Sequence, residues 1–301
     1  TTYRCFDRRI YKIMKTTQLV NSTAKFIQLH TNQSFQQSKI EAEEIFMYVL
    51  GINKPKIYSN TTISITKDEY NQINYILNKR KNDIPLSYVL KKHLFYKYEF
   101  FIDENVLIPR TETENIIDQI IFQGDKLFKD KGRCNFLDAG CGSGCVGITI
   151  AIERPDWNVV LSDINMNAMS VAKRNSDLLN QKNIEFICGD WLEPFKSKSL
   201  DFIFCNPPYI ALSDQRIGKS VIDNEPHSAL FSGADGLNDI KKIIISSKDI
   251  LSDQGILLME NGIDQTDKIS RLLESNDFTD ISIHLDYNGH ERFTSSHKNN
   301  G

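Results

Sequence analysis

Apolar residues in the first part of the chain recur at helical spacing. One such stripe consists of Ile40, Ile45, Phe46, Val49 and Leu50. Gly51 follows this stripe as a helix stop, and Thr66 and Glu69 have the spacing of a capping box at the start of a further helix. The charged run at 78–83 is typical of an exposed helix end. The pattern therefore predicts a small helical domain over residues 21–84.

Residues 85–110 have a different character, because aromatic and β-branched side chains replace the helical stripe. The β-favouring residues are Tyr88, Phe95, Tyr96, Tyr98, Phe100, Phe101 and Ile102. The polar residues at 103–105 can turn the chain before Val106–Ile108 resumes the apolar pattern. This segment predicts a β-hairpin linker between two domains.

Short apolar runs alternate with helical stretches over residues 111–301. The runs are 135–139, 159–162, 184–188, 201–205 and 256–260. Such alternation predicts an α/β domain with a mostly parallel sheet covered by helices on both faces. The polar carboxyl end, Ser295–Gly301, predicts a clipped last strand. Ligands of open α/β sheets bind at the carboxyl ends of the strands. We therefore expect the binding and catalytic residues just after each apolar run.

Composition narrows the class of protein. The 301 residues include 36 Lys and Arg against 39 Asp and Glu, for a net charge of −3. A net charge near zero argues against a protein that binds DNA or RNA mainly through contacts to the phosphates. The sequence contains no run of about 18 apolar residues, so it predicts no membrane-spanning helix. The six cysteines lack paired CxxC spacing, which indicates reduced thiols in an intracellular protein and no metal site. They are Cys5, Cys134, Cys141, Cys145, Cys188 and Cys205.

Residues 1–20 are basic. The charged side chains in this segment are Arg4, Arg8, Arg9, Lys12 and Lys15, against Asp7. No apolar stretch of a secretory signal follows them. We interpret the segment as a basic N-terminal extension; an organelle-targeting remnant, or a start at Met14, is the alternative.

A glycine-rich loop follows the first apolar run. Its residues are Asp138, Ala139, Gly140, Cys141, Gly142, Ser143 and Gly144. Glycines let a ligand approach the backbone, and the helix predicted over 145–152 would offer free N–H groups at its amino end. The spacing is GxGxG rather than the dinucleotide-binding GxGxxG. The loop favours a nucleotide-like ligand, although a tight turn without a ligand has the same local sequence.

Two further strand ends carry residues that suit an adenosine. Asp163 lies 19 residues after Gly144 and can accept both hydroxyls of a ribose, although an acid at this place is also a common helix cap. Asp190 and Trp191 follow the third run; they offer an acceptor for an amino group and an apolar face for adenine, although a tryptophan here is often core. The glycine loop, Asp163 and the Asp190-Trp191 pair each follow a strand of the predicted sheet. Together they favour an adenosine-bearing ligand.

The sharpest signal is the tetrad Asn206, Pro207, Pro208 and Tyr209 after the fourth run. Because neither proline has an N–H group, the turn is stiff and presents the Asn206 amide oxygen and the Pro207 carbonyl as two fixed acceptors. Two acceptors can hold both hydrogens of a planar –NH2 group, and Tyr209 can cover that group as a wall. An amide nitrogen is a poor nucleophile, which favours a strong electrophile held in line, such as the methyl of S-adenosylmethionine.

On these residues the chain resembles the release-factor glutamine N5-methyltransferases, a family of class I methyltransferases. Further matching motifs are Pro85–Tyr88, Leu107–Arg110 with Glu112–Glu114, Glu225-Pro226, Gly233–Leu237 and Gly255–Glu260. Departures are Lys91-Lys92-His93, where the family often has glycine, and Thr111, where it often has proline. The shape of the hairpin is the feature that these departures affect.

The resemblance implies a Rossmann-like seven-stranded methyltransferase sheet over 111–301, with the helical domain contacting a substrate protein. It implies that S-adenosylmethionine binds Gly140, Cys141, Gly142, Ser143, Gly144, Asp163, Trp191 and Asn206. It implies that Asn206, Pro207, Pro208 and Tyr209 hold the glutamine of a Gly-Gly-Gln loop in a class I peptide chain release factor. No metal, membrane or direct nucleic-acid contact is expected, and we expect a cytoplasmic monomer.

Two other functions fit parts of the pattern. A DNA or RNA amino methyltransferase would use the same tetrad on an extruded base, but such enzymes usually carry a basic recognition surface. A noncatalytic binding protein would use the helical domain alone, and the intact tetrad and glycine loop argue against it.

Overall fold

The computed structural model describes residues 10–299, with side chains from Ile13 onward. The chain divides into two compact units, one ending at Lys91 and the other beginning at Lys92. No helix of the described residues is long and apolar enough to cross a membrane. Cys5, Arg4, Arg8 and Arg9 lie outside the described residues.

The first unit is built mainly of helices. Its elements are β1 (Ile10–Lys15), α1 (Thr16–His30), α2 (Phe35–Leu50), α3 (Lys54–Tyr58), β2 (Thr62–Thr66), α4 (Lys67–Lys81) and α5 (Leu86–Leu90). The predicted capping box is confirmed, since Glu69 Oε2 accepts the Thr66 N–H at 2.7 Å and Thr66 caps the Glu69 N–H. Gly51 ends α2 with a φ of 61°, as predicted.

The core of this unit forms between α1, α2 and α4, around residues such as Ile45 and Phe46. The prediction that Ile40 belongs to the same stripe is wrong, because its side chain is 53% exposed. At about 100° per residue, Ile40 lies about 140° around the helix from Ile45 and therefore on its outer side.

The charged run at 78–83 is not simply an exposed helix end. Arg80 is 2% exposed; its Nε donates to Glu41 Oε2 at 2.8 Å and its second guanidinium nitrogen to Glu41 Oε1 at 3.1 Å. A third bond reaches the carbonyl of Ile84. The partner lies in α2, far along the chain, so the local charge pattern could not reveal it.

The described elements also shift the predicted boundaries. Within the predicted extension, β1 pairs antiparallel with β2 and α1 begins at Thr16. Within the predicted hairpin linker, Leu86–Leu90 is helical and only β3 (His93–Phe95) and β4 (Tyr98–Phe100) form a hairpin. Leu86, Tyr88 and Leu90 are the buried residues of α5. Apolar residues at every second position are also the pattern of a β-strand, which is why the sequence predicted one here.

The second unit is the predicted α/β domain. Its helices are α6 (Thr111–Glu114), α7 (Ile117–Lys131), α8 (Cys145–Glu153), α9 (Met166–Leu178), α10 (Lys219–Asn224), α11 (Asn238–Ile250) and α12 (Thr266–Ser275), with a 3₁₀ turn at His227–Ala229. Its main strands are β5 (Asn135–Ala139), β6 (Asn158–Asp163), β7 (Ile184–Cys188), β8 (Leu200–Cys205), β9 (Leu251–Glu260), β10 (Phe278–Leu285) and β11 (Glu291–Lys298).

These seven strands form one sheet in the order β10-β11-β9-β8-β5-β6-β7. Strands β5 to β9 are parallel, and β11 lies antiparallel between β9 and β10. The prediction of a clipped last strand is wrong: β11 runs to Lys298, with Ser296 opposite Leu257. Backbone hydrogen bonds form this ladder and do not require apolar side chains.

The register aligns the carboxyl ends of the central strands. Ala139 at the end of β5 lies opposite Ser162 on one side and Cys205 on the other, and Asp163 lies opposite Cys188. The chain order reverses direction between β5 and β8, which is the place where such sheets bind ligands.

Candidate active site

A cavity of about 370 Å³ lies at these aligned strand ends. It is lined by parts of 105–109, 138–146, 163–168, 189–191, 204–208 and 226–229, and by Asp239 and Lys242 of α11. Its volume is in the range of small-molecule sites. All predicted site residues except Gly144, Pro207 and Tyr209 are among the lining residues.

The glycine loop turns sharply at the end of β5. The N–H groups of Gly140 and Cys141 donate to the carbonyl of Ser162 at 2.8 and 2.9 Å. Gly140 has a φ of 71°, and a Cβ there would lie 2.8 Å from the ring of Trp191. A side chain at this position would therefore strain the backbone and push against the wall of the cavity.

Asp163 ends β6 at the edge of the cavity. Its Oδ2 accepts the N–H of Gly142 at 2.9 Å, and its Oδ1 accepts the N–H of Asn165 at 2.8 Å. Burial raises the pKa of this carboxyl, while the backbone donors oppose the shift. A carboxylate oxygen has a second acceptor site, so both oxygens keep the capacity to accept a ligand hydroxyl.

Trp191 forms a wall of the cavity. Its φ is 45°, a left-handed conformation that bulky residues rarely adopt. Its indole N–H donates to Asp239 Oδ1 at 3.0 Å, and Asp239 also accepts the hydroxyl of Ser232. Asp239 is a site residue that the sequence reasoning missed, because it lies on a later helix, 48 residues away.

Asp190, the predicted acceptor for an amino group, lines the cavity with its carboxylate paired to Lys242. Lys242 also reaches Glu193 at 3.1 Å. Lys242 lies in α11, and no sequence signal identified it as part of the site.

The proline tetrad follows β8. Asn206 and Pro208 line the cavity, whereas Pro207 is buried and Tyr209 is turned into the protein. The Tyr209 hydroxyl donates to Glu260 Oε1 at 3.2 Å, and burial raises the pKa of both groups. Thr113 donates to the other oxygen of Glu260 at 2.6 Å. Tyr209 is therefore anchored at its ring end by a buried carboxyl.

Asp138, the first residue of the glycine motif, is a further missed site residue. It is 3% exposed and lines the cavity, and its Oδ2 accepts the N–H of Gly147 at 2.8 Å. Burial raises the pKa of Asp138 to about 7, and Asp163 nearby adds to the shift. Its place directly before the glycines was the available signal.

The segment 101–110 covers part of the cavity without regular secondary structure. Glu225 accepts the N–H of Ile108 at 3.1 Å and a guanidinium bond from Arg110 at 2.8 Å. Asn175, fully buried, accepts the Phe101 N–H and donates to the carbonyls of Phe101 and Ser143. Asn175 therefore ties the start of this segment to the glycine loop, and Glu225 ties its end to the chain that follows α10.

The five described cysteines are free thiols, four of them buried. Burial raises the pKa of Cys134 to about 12 and raises those of Cys141, Cys145 and Cys205 as well. Among residues 10–299 no group of three or more His, Cys, Asp or Glu side chains is arranged to hold a metal ion.

The lining of the cavity fits S-adenosylmethionine. Carboxyl groups of Asp138, Asp163, Asp190 and Asp239 face it against the single ammonium of Lys242 among its lining residues. Such a surplus of negative groups in a partly buried site favours a cationic ligand, and this cofactor carries a sulfonium and an ammonium group. Trp191 and the glycine loop supply an apolar face and a close backbone approach.

Comparisons with known proteins agree with this site. The model of the methyltransferase small domain matches residues 125–235, and that of the PrmC N-terminal domain matches residues 23–90. A release factor glutamine methyltransferase of Francisella tularensis is 33% identical over 92% of this chain and 94% of its own length. One of Buchnera aphidicola is 32% identical over 85% and 90%.

A solved structure shares the fold at much lower identity. The hMettl16 catalytic domain, solved in complex with the MAT2A 3'UTR hairpin 6, has a TM-score of 0.52 and 15% identity, over 84% of this chain and 92% of that one. The fold and the site define a Rossmann-like methyltransferase that uses S-adenosylmethionine. The chain belongs to the release factor glutamine methyltransferase family.

Proposed function

We propose that the enzyme transfers the methyl group of S-adenosylmethionine to the side-chain amide nitrogen of the glutamine in the Gly-Gly-Gln motif of a class I peptide chain release factor. The observation that carries this proposal is the place of Asn206. It follows the strand adjacent to the glycine loop, and it lines the same cavity as Gly140 and Asp163. An amide held by Asn206 then lies beside the methyl donor. The family of the chain supports the release factor as substrate.

The tetrad acts by position. The Asn206 oxygen and the Pro207 carbonyl accept the two hydrogens of the substrate amide, which orients its nitrogen for in-line attack. The same acceptors stabilise the positive charge that develops on this nitrogen. The nitrogen forms a bond to the methyl group as the S–CH3 bond breaks, S-adenosylhomocysteine leaves with the electron pair of that bond, and the nitrogen loses one hydrogen to solvent as a proton. Pro208 keeps the turn rigid, and Tyr209 is held in place through Glu260.

The geometry of the cavity supports the following proposed cofactor roles. Asp163 would accept the ribose hydroxyls with its remaining acceptor sites, and Trp191 would lie against the adenine. The loop of Gly140, Cys141, Gly142, Ser143 and Gly144 would let the cofactor approach the backbone closely. Asp138 would supply negative charge near its cationic groups.

The helices of residues 16–90 are proposed to contact the release factor away from the active site, with the hairpin segment after Lys91 as the linker and 111–301 as the methyltransferase domain. We propose that the enzyme acts as a monomer. The proposed compartment is the cytoplasm, where translation terminates; a mitochondrion or other organelle is the alternative. The function requires no direct contact with nucleic acid.

The test is a mass-spectrometric assay with purified enzyme, S-adenosylmethionine and a release factor from the same source. We expect a gain of about 14 mass units on the Gly-Gly-Gln peptide. Asn206→Ala should remove this gain while the protein stays folded. The control, Asn158→Ala, changes an exposed asparagine at the opposite end of β6 and should stay active. Label entering DNA or RNA instead of the glutamine would overturn the proposal in favour of a nucleic-acid methyltransferase.

A further inference from the structure

Gln265, just before α12, bridges two loops at the active-site end of the sheet. Its side chain is 9% exposed. Its Oε1 accepts the N–H of Gly262 at 2.9 Å, and its Nε2 donates to the carbonyl of Tyr209 at 2.9 Å. The same Nε2 lies 3.4 Å from the carbonyl of Gly236. One buried amide thus connects the chain after β9 with the last residue of the tetrad.

Gly236 leaves space for the hydrogen bond from Gln265 to the Tyr209 carbonyl. Its φ is 73°, and a Cβ at this position would lie 2.3 Å from the Tyr209 carbonyl oxygen and 2.8 Å from Gln265 Nε2. The loop that contains Gly236 therefore packs directly on the Tyr209 carbonyl, and a larger residue would displace either the tetrad or Gln265.

Tyr209 is held at other points too. Its hydroxyl donates to Glu260 at 3.2 Å, and the N–H of the next residue, Ile210, donates to the carbonyl of Leu230 at 3.0 Å. Two prolines stand between Tyr209 and Asn206 and restrict the backbone. A shift of the Tyr209 carbonyl therefore passes along a stiff segment to the two amide acceptors.

We propose that Gln265 is a positioning residue for methyl transfer: by holding the Tyr209 carbonyl, it fixes the Asn206 and Pro207 acceptors relative to the methyl donor. This inference rests on the proposed function of the tetrad. Gln265 does not line the cavity, so it acts through Tyr209 and not by contact with a ligand. The geometry of such acceptors matters, because a misplacement of about 1 Å costs up to about 100-fold in rate.

The decisive variant is Gln265→Glu, which keeps the size of the side chain. One oxygen still accepts the Gly262 N–H, but the other replaces the donor and faces the carbonyls of Tyr209 and Gly236. The matched control is Ser252→Ala, which removes a buried hydrogen bond to Asp201 at the amino ends of β8 and β9, opposite to the end that carries the cavity. Both variants lose side-chain hydrogen bonds of a buried residue, since Ser252 Oγ also accepts from Lys131, and only the first lies next to the tetrad.

We expect Gln265→Glu to lower kcat about 10- to 100-fold, with the Kd for S-adenosylmethionine within about twofold of wild type. Ser252→Ala should keep the wild-type kcat even if it lowers the melting temperature. A kcat of folded Gln265→Glu within twofold of wild type would overturn the inference. A parallel loss of kcat and cofactor affinity would also overturn it, because it would indicate general damage to the site.

A second readout does not depend on turnover. In protein labelled with ¹⁵N-tyrosine, the backbone amide signal of Tyr209 should broaden or split in Gln265→Glu and remain sharp in Ser252→Ala. An unchanged Tyr209 signal would refute the positioning role. If the wild-type enzyme fails to methylate a release factor, the proposed function fails, while the Tyr209 signal still decides the role of Gln265.

Discussion

The indole N–H of Trp191 donates a hydrogen bond to the carboxylate of Asp239 over 3.0 Å. This bond joins the wall of the cofactor cavity, which follows β7, to the first turn of α11. Trp191 has a left-handed backbone conformation that costs free energy, so its surroundings must hold it there. The carboxylate of Asp239 holds the indole ring of Trp191 at its N–H group.

Removal of this carboxylate should weaken cofactor binding. Asp239→Ala leaves the indole N–H of Trp191 without its acceptor and frees the ring, so we expect the Kd for S-adenosylhomocysteine to rise about tenfold, or about 1.4 kcal/mol. Isothermal titration calorimetry measures this change. Lys241→Ala, on the same helix but outside the cavity lining, is the control and should bind normally. An unchanged Kd in Asp239→Ala would show that the bond to Asp239 does not hold Trp191 for cofactor binding.

Asp163 should matter for binding more than for chemistry. Asp163→Ala removes the acceptor of the Gly142 and Asn165 N–H groups together with the proposed ribose contact. Because hydrogen bonds to charged groups contribute about 1.5–3 kcal/mol each, we expect cofactor affinity to fall at least about tenfold. Turnover at saturating cofactor should remain within a few-fold of wild type in a steady-state assay. Wild-type affinity would mean that the ribose contact is misassigned.

Cofactor binding should depend on pH through Asp138. Burial raises the pKa of this carboxyl to about 7, so the free enzyme is largely protonated there at lower pH. A cationic ligand favours the ionised form, so its binding releases a proton, and affinity should rise by up to about tenfold per pH unit until about pH 7 and then level off.

The check is a series of calorimetric titrations between about pH 6 and about pH 8. Asp138→Asn keeps an acceptor for the Gly147 N–H but cannot ionise, so its affinity should be lower and nearly independent of pH. S-adenosylhomocysteine, which lacks the sulfonium charge, should show a weaker dependence on the wild-type enzyme. A constant wild-type affinity across this range would contradict the assignment.

The first unit should depend on the ion pair between buried Arg80 and partly buried Glu41. Arg80→Met leaves the Glu41 carboxylate without its bidentate partner, and because breaking a fully buried pair costs about 3–5 kcal/mol, the cost here should lie below that range. Amide hydrogen exchange in the full chain should therefore show faster exchange across residues 16–90. Lys81→Met, an exposed neighbour, is the control. Equal protection in both variants would show that the pair contributes little to stability.

Local features were predictable where a short segment sets its own conformation. The glycine loop, the tetrad and the capping box at Thr66 each follow from the backbone needs of neighbouring residues, and the α/β alternation follows from periodicity. The helix at Leu86–Leu90 escaped detection because its buried residues lie two apart, as in a strand. The pairing of β1 with β2 escaped because each strand finds its partner far along the chain.

The sequence by itself determined the fold class, the family, and most of the segments that line the cavity. Only the tertiary structure decided which side chains support them: Arg80 on Glu41 across 39 residues, Trp191 on Asp239 across 48, and Gln265 on Tyr209 across 56. It also decided the pKa of Asp138, since burial, which no local pattern specifies, sets the cost of its charge. Motifs are local requirements of the backbone, whereas these contacts and this burial exist only after distant segments have packed together.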